Sequence, residues 1–203
     1  NIYVSNLTNL KKAKKNIENN KVIGIPTETV YGLAGNAYSN NAVKKIFSIK
    51  KRPLKNPLII HFKNLKDLKK DIVPNKYFLK LYKVFCPGPI TFVLKKKKGS
   101  KISKFATAGL KTVTVRIPSH KVTRQLLKII KFPLAAPSAN IASKLSPTSA
   151  KDVSEELGNK IDFILDGGRS KIGLESTIVD LTKKPSILRP GIITLKKIEK
   201  ILK

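Results

Sequence analysis

The residues best suited to chemistry in this chain are basic and hydroxyl side chains in proline- and glycine-rich segments. They are Lys50, Arg52, Arg116, Ser138, Ser146 and Arg189. Guanidinium and ammonium groups bind phosphate oxygens through charge-assisted hydrogen bonds, and hydroxyl groups and loop amides add further donors. This inventory therefore favours the binding of a polyphosphate over attack by a protein nucleophile.

Arginine is scarce in this chain, which makes each arginine informative. The sequence holds 42 Lys and Arg residues against 12 Asp and Glu, a formal net charge of +30, yet only five of the basic residues are Arg. Abundant Lys, Ile and Asn are typical of A/T-rich coding sequence, so a pI of about 10.3 is weakened as evidence for nucleic-acid binding. Because Lys cannot make the planar, bidentate contact of a guanidinium, we expect the arginines to bind phosphate or carboxylate.

Several common classes of site are excluded by motif. The sequence contains no G-x-x-x-x-G-K-[ST] phosphate loop, no G-x-G-x-x-G and no G-x-S-x-G turn. It also lacks H-E-x-x-H, and its one cysteine, Cys86, can form neither an internal disulfide nor a Cys-based zinc site. We therefore expect no dedicated protein metal site and a reducing, cytoplasmic setting. No apolar run is long enough to suggest a membrane span.

Apolar periodicity and Pro/Gly positions predict the elements that must hold these side chains. Predicted helices cover residues 8–20, 41–51, 77–85, 119–130 and 149–157, with N-caps at Thr8, Ser119 and Thr148, and Thr194 begins a last helix. Predicted strands cover residues 22–25, 58–62, 90–94, 112–117, 134–136, 163–165, 176–180 and 187–188. Because helices and strands intermingle, we predict an α/β fold with a mixed sheet. Without a Pro/Ser-rich linker, residues 1–203 are expected to form one domain.

Six proline- and glycine-rich segments each adjoin a predicted strand. They cover residues 26–33, 50–53 with 56–61, 86–91, 112–118, 136–140 with 146–148, and 175–177 with 188–191. Any one of them is adequately explained as a turn. Since ligands of open α/β sheets bind where strands end in such loops, the six together indicate a binding site.

The same segments give the chain a resemblance to the YrdC-domain family of threonylcarbamoyl-AMP synthases, from about Val22 to Gly191. The matching motifs are PTETVYGL at 26–33, K-x-R at 50–52, NPLIIH at 56–61, PGPIT at 87–91, V-R-x-P at 115–118, APSAN at 136–140, SPT at 146–148, ESTIVD at 175–180 and LRPG at 188–191. The resemblance implies an open, twisted sheet with a large basic concave cavity. It also implies the short, single-domain form of the family.

The resemblance implies a reaction as well. Such enzymes join L-threonine, bicarbonate and ATP into threonylcarbamoyl-adenylate and pyrophosphate, and a second complex transfers the product to a tRNA adenosine beside the anticodon. A direct contact with tRNA is left open. Attack of a carbamate on the α-phosphorus of ATP needs positioning and charge neutralisation more than a covalent nucleophile. Mg²⁺ is expected to come with ATP, held mainly by phosphates and water.

Carried over motif by motif, the resemblance defines two groups of site residues. The ATP side consists of Lys50, Arg52, Asn56, Thr112, Ser138, Asn140, Ser146 and Arg189, and the catalytic signature within it is Lys50, Arg52, Ser138 and Asn140. The threonine side consists of Thr29, His61, Arg116, Ala136 and Ser176, with Arg116 as a carboxylate clamp. Tyr31 is either a wall of the pocket or a core residue. Glu28 and Glu175 are either bases or structural partners of arginine, and structural pairing is favoured.

Two other functions are compatible with the sequence. An RNA-binding module could use the same basic surface, since a net charge of +30 gives strong, salt-dependent affinity. The aromatic fraction of 6% argues against it, because RNA-binding surfaces commonly stack bases on aromatic rings. A relative that handles a different carbamoyl-adenylate in hydrogenase maturation is the other alternative. Such proteins normally embed this domain in a much longer chain with zinc motifs.

Overall fold

Strands and helices are interspersed along the whole chain in the computed structural model, which describes residues 1–203. The strands are β1 (Ile2–Val4), β2 (Ile23–Ile25), β3 (Gly32–Asn36), β4 (Ile59–His61), β5 (Ile90–Lys95), β6 (Thr112–Arg116), β7 (Leu134–Ala135), β8 (Ile164–Asp166), β9 (Thr177–Asp180) and β10 (Ser186–Arg189). The helices are α1 (Leu7–Glu18), α2 (Asn40–Lys50), α3 (Leu65–Leu68), α4 (Lys76–Phe85), α5 (Lys121–Ile129), α6 (Ala150–Leu157) and α7 (Leu195–Leu202). The predicted α/β class is confirmed.

All ten strands join one open, mixed sheet in the order β1-β8-β2-β3-β7-β4-β6-β5-β9-β10. The pairs β1–β8, β2–β8, β4–β6 and β5–β9 are parallel, and the other neighbours are antiparallel. The parallel register of β4 and β6 places His61 directly beside Arg116. The pairing of β4 with β6 thus brings residues that are more than 50 positions apart in the sequence to the same end of neighbouring strands.

Helices cover the two faces of the sheet unequally. A cluster of 32 buried residues joins α2, α3, α4, α6 and α7 to strands along most of the sheet. On the opposite face, a cluster of 14 residues joins α1 and α5 to β2, β3, β7 and β8, and it contains no residue of β4, β5, β6 or β9. This second face is therefore uncovered over β4, β5, β6 and β9. Because side chains alternate along a strand, the side chains of β4, β5 and β6 that do not enter the first cluster point to this uncovered half of the sheet. They include His61, Thr91, Thr114 and Arg116.

Of the four predicted helix N-caps, Thr194 at the start of α7 is confirmed and the other three are wrong. Asn6 caps α1 in place of Thr8, since its Oδ1 accepts the N–H of Asn9 at 2.8 Å. His120 caps α5 in place of Ser119. Ser149 caps α6 and forms a reciprocal pair with Asp152. The residue predicted for that role, Thr148, instead donates its N–H to Asp152, at 2.9 Å.

Three elements were not predicted at all, namely β1, β3 and α3. The strand β3 has the sequence Gly-Leu-Ala-Gly-Asn, which lacks the β-branched and aromatic residues typical of strands. Its extended form is instead imposed by pairing with β2 on one side and β7 on the other. A Cβ at Gly35 would lie 3.3 Å from Ala42, so the small residue lets α2 pack closely on the sheet.

None of the seven helices combines the length and the apolarity that a membrane crossing requires.

Candidate active site

The residues predicted for the threonine side meet in one pocket on the uncovered half of the sheet. Its lining includes Thr29, His61, Arg116, Ala136 and Ser176, together with Ser138 and Arg189 from the predicted ATP side. The pocket measures about 20 Å³, room for about one water molecule. The structure therefore brings these residues together, while their roles and the large basic cavity stay predictions.

A buried ion pair fixes the guanidinium of Arg116. Its Nη2 donates to Oε1 of Glu28 at 2.7 Å, and its Nη1 donates to Oγ1 of Thr29 at 2.9 Å. Burial alone would raise the pKa of Glu28, but the charge and hydrogen bond of Arg116 outweigh it and hold the pKa below its usual value. The structural pairing predicted for Glu28 is confirmed.

Four buried polar atoms in this region have no hydrogen-bond partner. They are Nε of Arg116, Oε2 of Glu28, and both ring nitrogens of His61. An unpaired buried polar group costs about 1–3 kcal/mol, so a cluster of them favours a site that binds a polar molecule. Burial, and then the charge of Arg116, lowers the pKa of His61 to about 3. Its ring is therefore neutral near pH 7 and offers one donor and one acceptor.

A second ion pair connects the two sides of the site. Arg189 pairs with Glu175 through Nη1, and its Nε donates to the main-chain oxygen of Ser176 at 3.1 Å. Oε1 of Glu175 also accepts from Oγ of Ser146 at 3.1 Å. The hydroxyl of Ser176 is hydrogen-bonded to Oγ1 of Thr91 at 2.7 Å. The structural pairing predicted for Glu175 is thus confirmed, and it holds two predicted ATP-side residues together.

Lys50 lies at the end of α2 and is only 2% exposed. Its Nζ donates to the main-chain oxygens of Ser138 and Asn140, and to Oδ1 of Asn140 at 3.2 Å. Burial, and then the charge of Arg52, lowers the pKa of Lys50 to about 8. Three residues of the predicted catalytic signature are therefore in direct contact.

The fourth signature residue, Arg52, lies just beyond the end of α2. Lys51 has a φ of 51° and turns the chain out of the helix, in the left-handed conformation common at helix ends. Arg52 then donates from Nε to the main-chain oxygen of Asn56 and from Nη2 to that of Pro57, both at 3.1 Å. Three of its five N–H groups are left for other partners.

Several predicted ATP-side residues lie outside the small pocket. They are Lys50, Arg52, Asn56, Thr112, Asn140 and Ser146. Thr112 begins β6 while Arg116 ends it, a separation of about 13 Å along the strand. Asn140 and Ser146 line a neighbouring open cavity of about 750 Å³, a volume within the range of small-molecule sites.

Three residues that line or support the site lie outside the predicted set of site residues. Thr27 accepts main-chain N–H groups of its own loop and shares a 2.9 Å hydrogen bond with Thr29. Thr91 is hydrogen-bonded to Ser176. Because Thr91 is next to the core residue Phe92 on a strand, the alternation of side chains could have placed it on the face of the site. Tyr31 is fully buried and also lines the pocket, so both of its proposed roles hold.

The family of this chain follows from comparison with known proteins. The Sua5/YciO/YrdC family model, whose description is "Telomere recombination", matches residues 15–191. The chain belongs to this family. It is 48% identical over 190 residues to the threonylcarbamoyl-AMP synthase of Pyrococcus abyssi, and the match covers 92% of this chain and 55% of that protein. It is 43% identical over 188 residues to the threonylcarbamoyl-AMP synthase of Bacillus subtilis, covering 92% of the chain and 54% of that protein.

A solved structure shows the same fold at high similarity. The crystal structure of P. abyssi Sua5 complexed with L-threonine matches with a TM-score of 0.92 and 43% identity, over 99% of this chain and 60% of that one. This Sua5/YrdC-family chain spans about half the length of the curated relatives described above. The predicted family and its open α/β fold are confirmed.

Proposed function

We propose that this protein is an L-threonylcarbamoyladenylate synthase, a nucleotidyltransferase that uses L-threonine, bicarbonate and ATP. The observation that carries the proposal is the pocket in which all five predicted threonine-side residues meet. The Sua5 structure that contains L-threonine, at 43% identity, supports this assignment of the substrate. The threonylcarbamoyl-AMP synthase names of the relatives support the reaction.

In this proposal, the amino acid binds between Arg116 and His61, and the surrounding side chains move apart to admit it, because the pocket of about 20 Å³ has room for about one water molecule as it stands. The carboxylate of threonine accepts from the free Nε edge of Arg116, whose other edge Glu28 and Thr29 hold in place. The neutral ring of His61 can donate to one polar atom of the substrate and accept from another. Both contacts would satisfy buried atoms that lack partners within the protein.

The proposed chemistry proceeds through a carbamate. Bicarbonate takes up a proton and loses water to give CO₂. The neutral amine of threonine then attacks CO₂ and releases a proton to solvent, which leaves a carbamate. An oxygen of this carbamate attacks the α-phosphorus of ATP. A phosphorus–oxygen bond forms there as the bond to pyrophosphate breaks. Charge on the phosphates is neutralised by Arg52 and Arg189, and Ser138 and Ser146 supply hydrogen bonds from their hydroxyls. The side-chain amide of Asn140 is already hydrogen-bonded to Lys50, Ile141 and Lys144, so Asn140 contributes its main-chain N–H, which has no partner within the protein. Asn56 and Thr112 complete the proposed ATP side.

Mg²⁺ fits this scheme as a companion of ATP. No group of three or more His, Cys, Asp or Glu side chains is placed to hold a metal ion. The residues of the site are mainly cations and hydroxyls, so phosphates and water would provide most of the ligands. When bound, the ion would neutralise phosphate charge. The proposed product would then pass to a complex that modifies tRNA.

Isotope labelling tests the proposed function. The protein is incubated with ATP, L-threonine and ¹³C-bicarbonate, and the products are analysed by mass spectrometry. We expect a threonylcarbamoyl-adenylate whose mass rises by one unit over that from unlabelled bicarbonate, together with pyrophosphate. A simple threonyl-adenylate, whose mass does not respond to labelled bicarbonate, would contradict the proposal. Tight RNA binding without any adenylate would favour the alternative of an RNA-binding module.

A further inference from the structure

Lys50 is the one buried lysine of this chain, and its surroundings use up its hydrogen-bonding capacity. An ammonium group has three N–H donors, and three oxygens of Ser138 and Asn140 accept from it. Within the protein, Lys50 is the sole hydrogen-bond partner of the main-chain oxygens of Ser138 and Asn140. The residue is thus tied to the loop that carries half of the predicted catalytic signature.

Other hydrogen bonds also anchor this loop: the N–H of Leu33 donates to the main-chain oxygen of Pro137 at 2.8 Å, and the N–H of Ile141 donates to Oε1 of Glu156 at 3.2 Å. The N–H of Ala139 donates to the main-chain oxygen of Tyr31 at 2.9 Å. The N–H of Ala142 donates to the main-chain oxygen of Lys50, also at 2.9 Å. Lys50 therefore holds this segment from two directions, through its side chain at residues 138 and 140 and through its carbonyl at residue 142.

We propose that Lys50 is a positioning residue, which orients Ser138 and Asn140 by holding their main-chain oxygens and does not itself contact a phosphate. Ser138 lines the small pocket and Asn140 lines the neighbouring cavity, so a shift of this loop moves groups in both. The inference rests on the proposed function only where it takes these two residues to face substrates.

A phosphate could reach Nζ of Lys50 only by displacing one of these oxygens. The displaced carbonyl would be left without a partner, at a cost that works against the new contact. Arg52 lies two residues away, is partly exposed and has three unused N–H groups. The two cations of the K-x-R motif therefore have different roles. Lys50 orders the loop, and Arg52 is available to bind a phosphate.

Hydrogen–deuterium exchange of the Lys50→Met variant tests this proposal without any substrate. Methionine retains much of the side-chain volume and removes the three donors. We expect the amides of Ala139 and Ala142 to exchange at least about tenfold faster, while amides of β4 and β6 are unchanged. Lys51→Met is the matched control, since Lys51 is the next residue and is exposed, and we expect its exchange to stay within about twofold of the wild type. Unchanged exchange at residues 139–142 in Lys50→Met would overturn the proposal.

A measurement on the wild-type protein covers the case in which Lys50→Met does not fold. A structure of the wild-type protein with a bound non-hydrolysable ATP analogue shows directly what Lys50 contacts. We expect its Nζ to keep the three oxygens of Ser138 and Asn140, with no phosphate oxygen within hydrogen-bond distance. A phosphate oxygen within about 3.2 Å of this Nζ would overturn the proposal. Neither experiment requires the enzyme to turn over substrate. A failure of this proposal can therefore be told apart from a failure of the proposed function.

Discussion

Two arginines of the site are each held by a glutamate, but the two pairs differ in burial. The side chains of Arg116 and Glu28 are 4% and 9% exposed, whereas those of Arg189 and Glu175 are 31% and 32% exposed. Breaking a buried pair by removing one partner leaves an uncompensated charge away from water, while an exposed charge is solvated again. The first pair is therefore suited to a fixed clamp, and the second to a contact that solvent or ligand can replace.

This difference predicts unequal effects on stability. We expect Glu28→Gln to lower the free energy of unfolding by about 3 kcal/mol, because the charge of Arg116 stays buried without its counter-charge. The matched variant Glu175→Gln should cost about 1 kcal/mol or less. Urea unfolding of the two variants and the wild type measures both values. Equal losses would show that burial does not separate the two pairs.

The neutral state of His61 predicts how stability depends on pH. The pKa of this ring is about 3 in the folded protein and about 6.5 in the unfolded chain, so the unfolded chain binds more protons between these values. Stability should therefore fall as the pH is lowered from 6.5, with a slope approaching about 1.4 kcal/mol per pH unit from this residue.

Substitution separates this effect from those of the other titrating groups. Between pH 5 and 6.5 we expect His61→Asn to lose most of the slope, measured by urea unfolding at several pH values. His120→Asn is the comparison, since Asn is a good N-cap and His120 is the only other histidine. Burial also lowers the pKa of His120, so its loss should reduce the slope, but by less. An unchanged slope in His61→Asn would mean that its ring is protonated in the folded protein.

Arg52 and Lys51 provide a further test at the scale of single residues. Both lie beyond α2 and both are basic, but only Arg52 is in the predicted signature. We expect Arg52→Ala to lower kcat/KM for ATP by about 10- to 100-fold, the loss of a charge-assisted hydrogen bond worth about 1.5–3 kcal/mol. Lys51→Ala should stay within about twofold. Similar losses in both variants would indicate that Arg52 contributes only to the general positive charge.

At the scale of elements, Gly191 shows how the turn after β10 shapes the site. A Cβ at this position would lie 2.5 Å from the main-chain nitrogen of Thr177 and 2.7 Å from the main-chain oxygen of Glu175. Real Cβ atoms do not approach main-chain atoms this closely, so a larger residue must push the 175–177 segment away. That segment carries Ser176 and the partner of Arg189.

We therefore expect Gly191→Ala to impair both stability and activity. The free energy of unfolding should fall by about 2 kcal/mol or more, and the rate of pyrophosphate release should fall with it. Gly99→Ala is the control: Gly99 has a φ of 81° with open space around it, so the substitution should cost about 1 kcal/mol of backbone strain and leave activity unchanged. Loss of stability without loss of activity in Gly191→Ala would separate this turn from the site.

The comparison of sequence and structure shows what local patterns can predict. Strands with clean alternation, such as residues 112–116, and helices with an apolar face were predicted to within a few residues. The strand β3 was missed because its extended form depends on neighbours that the local sequence does not reveal. The N-cap errors arise because several hydroxyl and amide side chains near each helix start could cap it, and only the three-dimensional path selects one.

For the site as well, membership could be predicted from the sequence but the contacts could not. Motif resemblance indicated which residues belong to it, but their partners are set by contacts between distant segments. Glu28 lies in the loop between β2 and β3 whereas Arg116 ends β6, and Lys50 contacts a loop residue 88 positions further along the chain. No spacing rule could have predicted that Lys50 is saturated while Arg52 keeps free donors. This distinction changes the role expected for Lys50 within its motif.

At the scale of the whole molecule, the uneven covering of the sheet creates the site. Helices cover one face along most of its length, and only α1 and α5 cover the other, so one half of that face is left uncovered, and the candidate site lies there. The net charge of +30 gives this molecule a positive field that attracts anions such as ATP. The field also applies to RNA, so charge alone does not decide between the proposed enzyme and an RNA-binding module.

The dependence of pyrophosphate release on both small substrates tests the central claim most directly. Release from ATP is measured with threonine and bicarbonate together, with each one alone, and with neither. The proposed site joins all three substrates, so we predict rapid release only when both are present, and background rates in the other three reactions. Equal release with and without threonine would contradict the account.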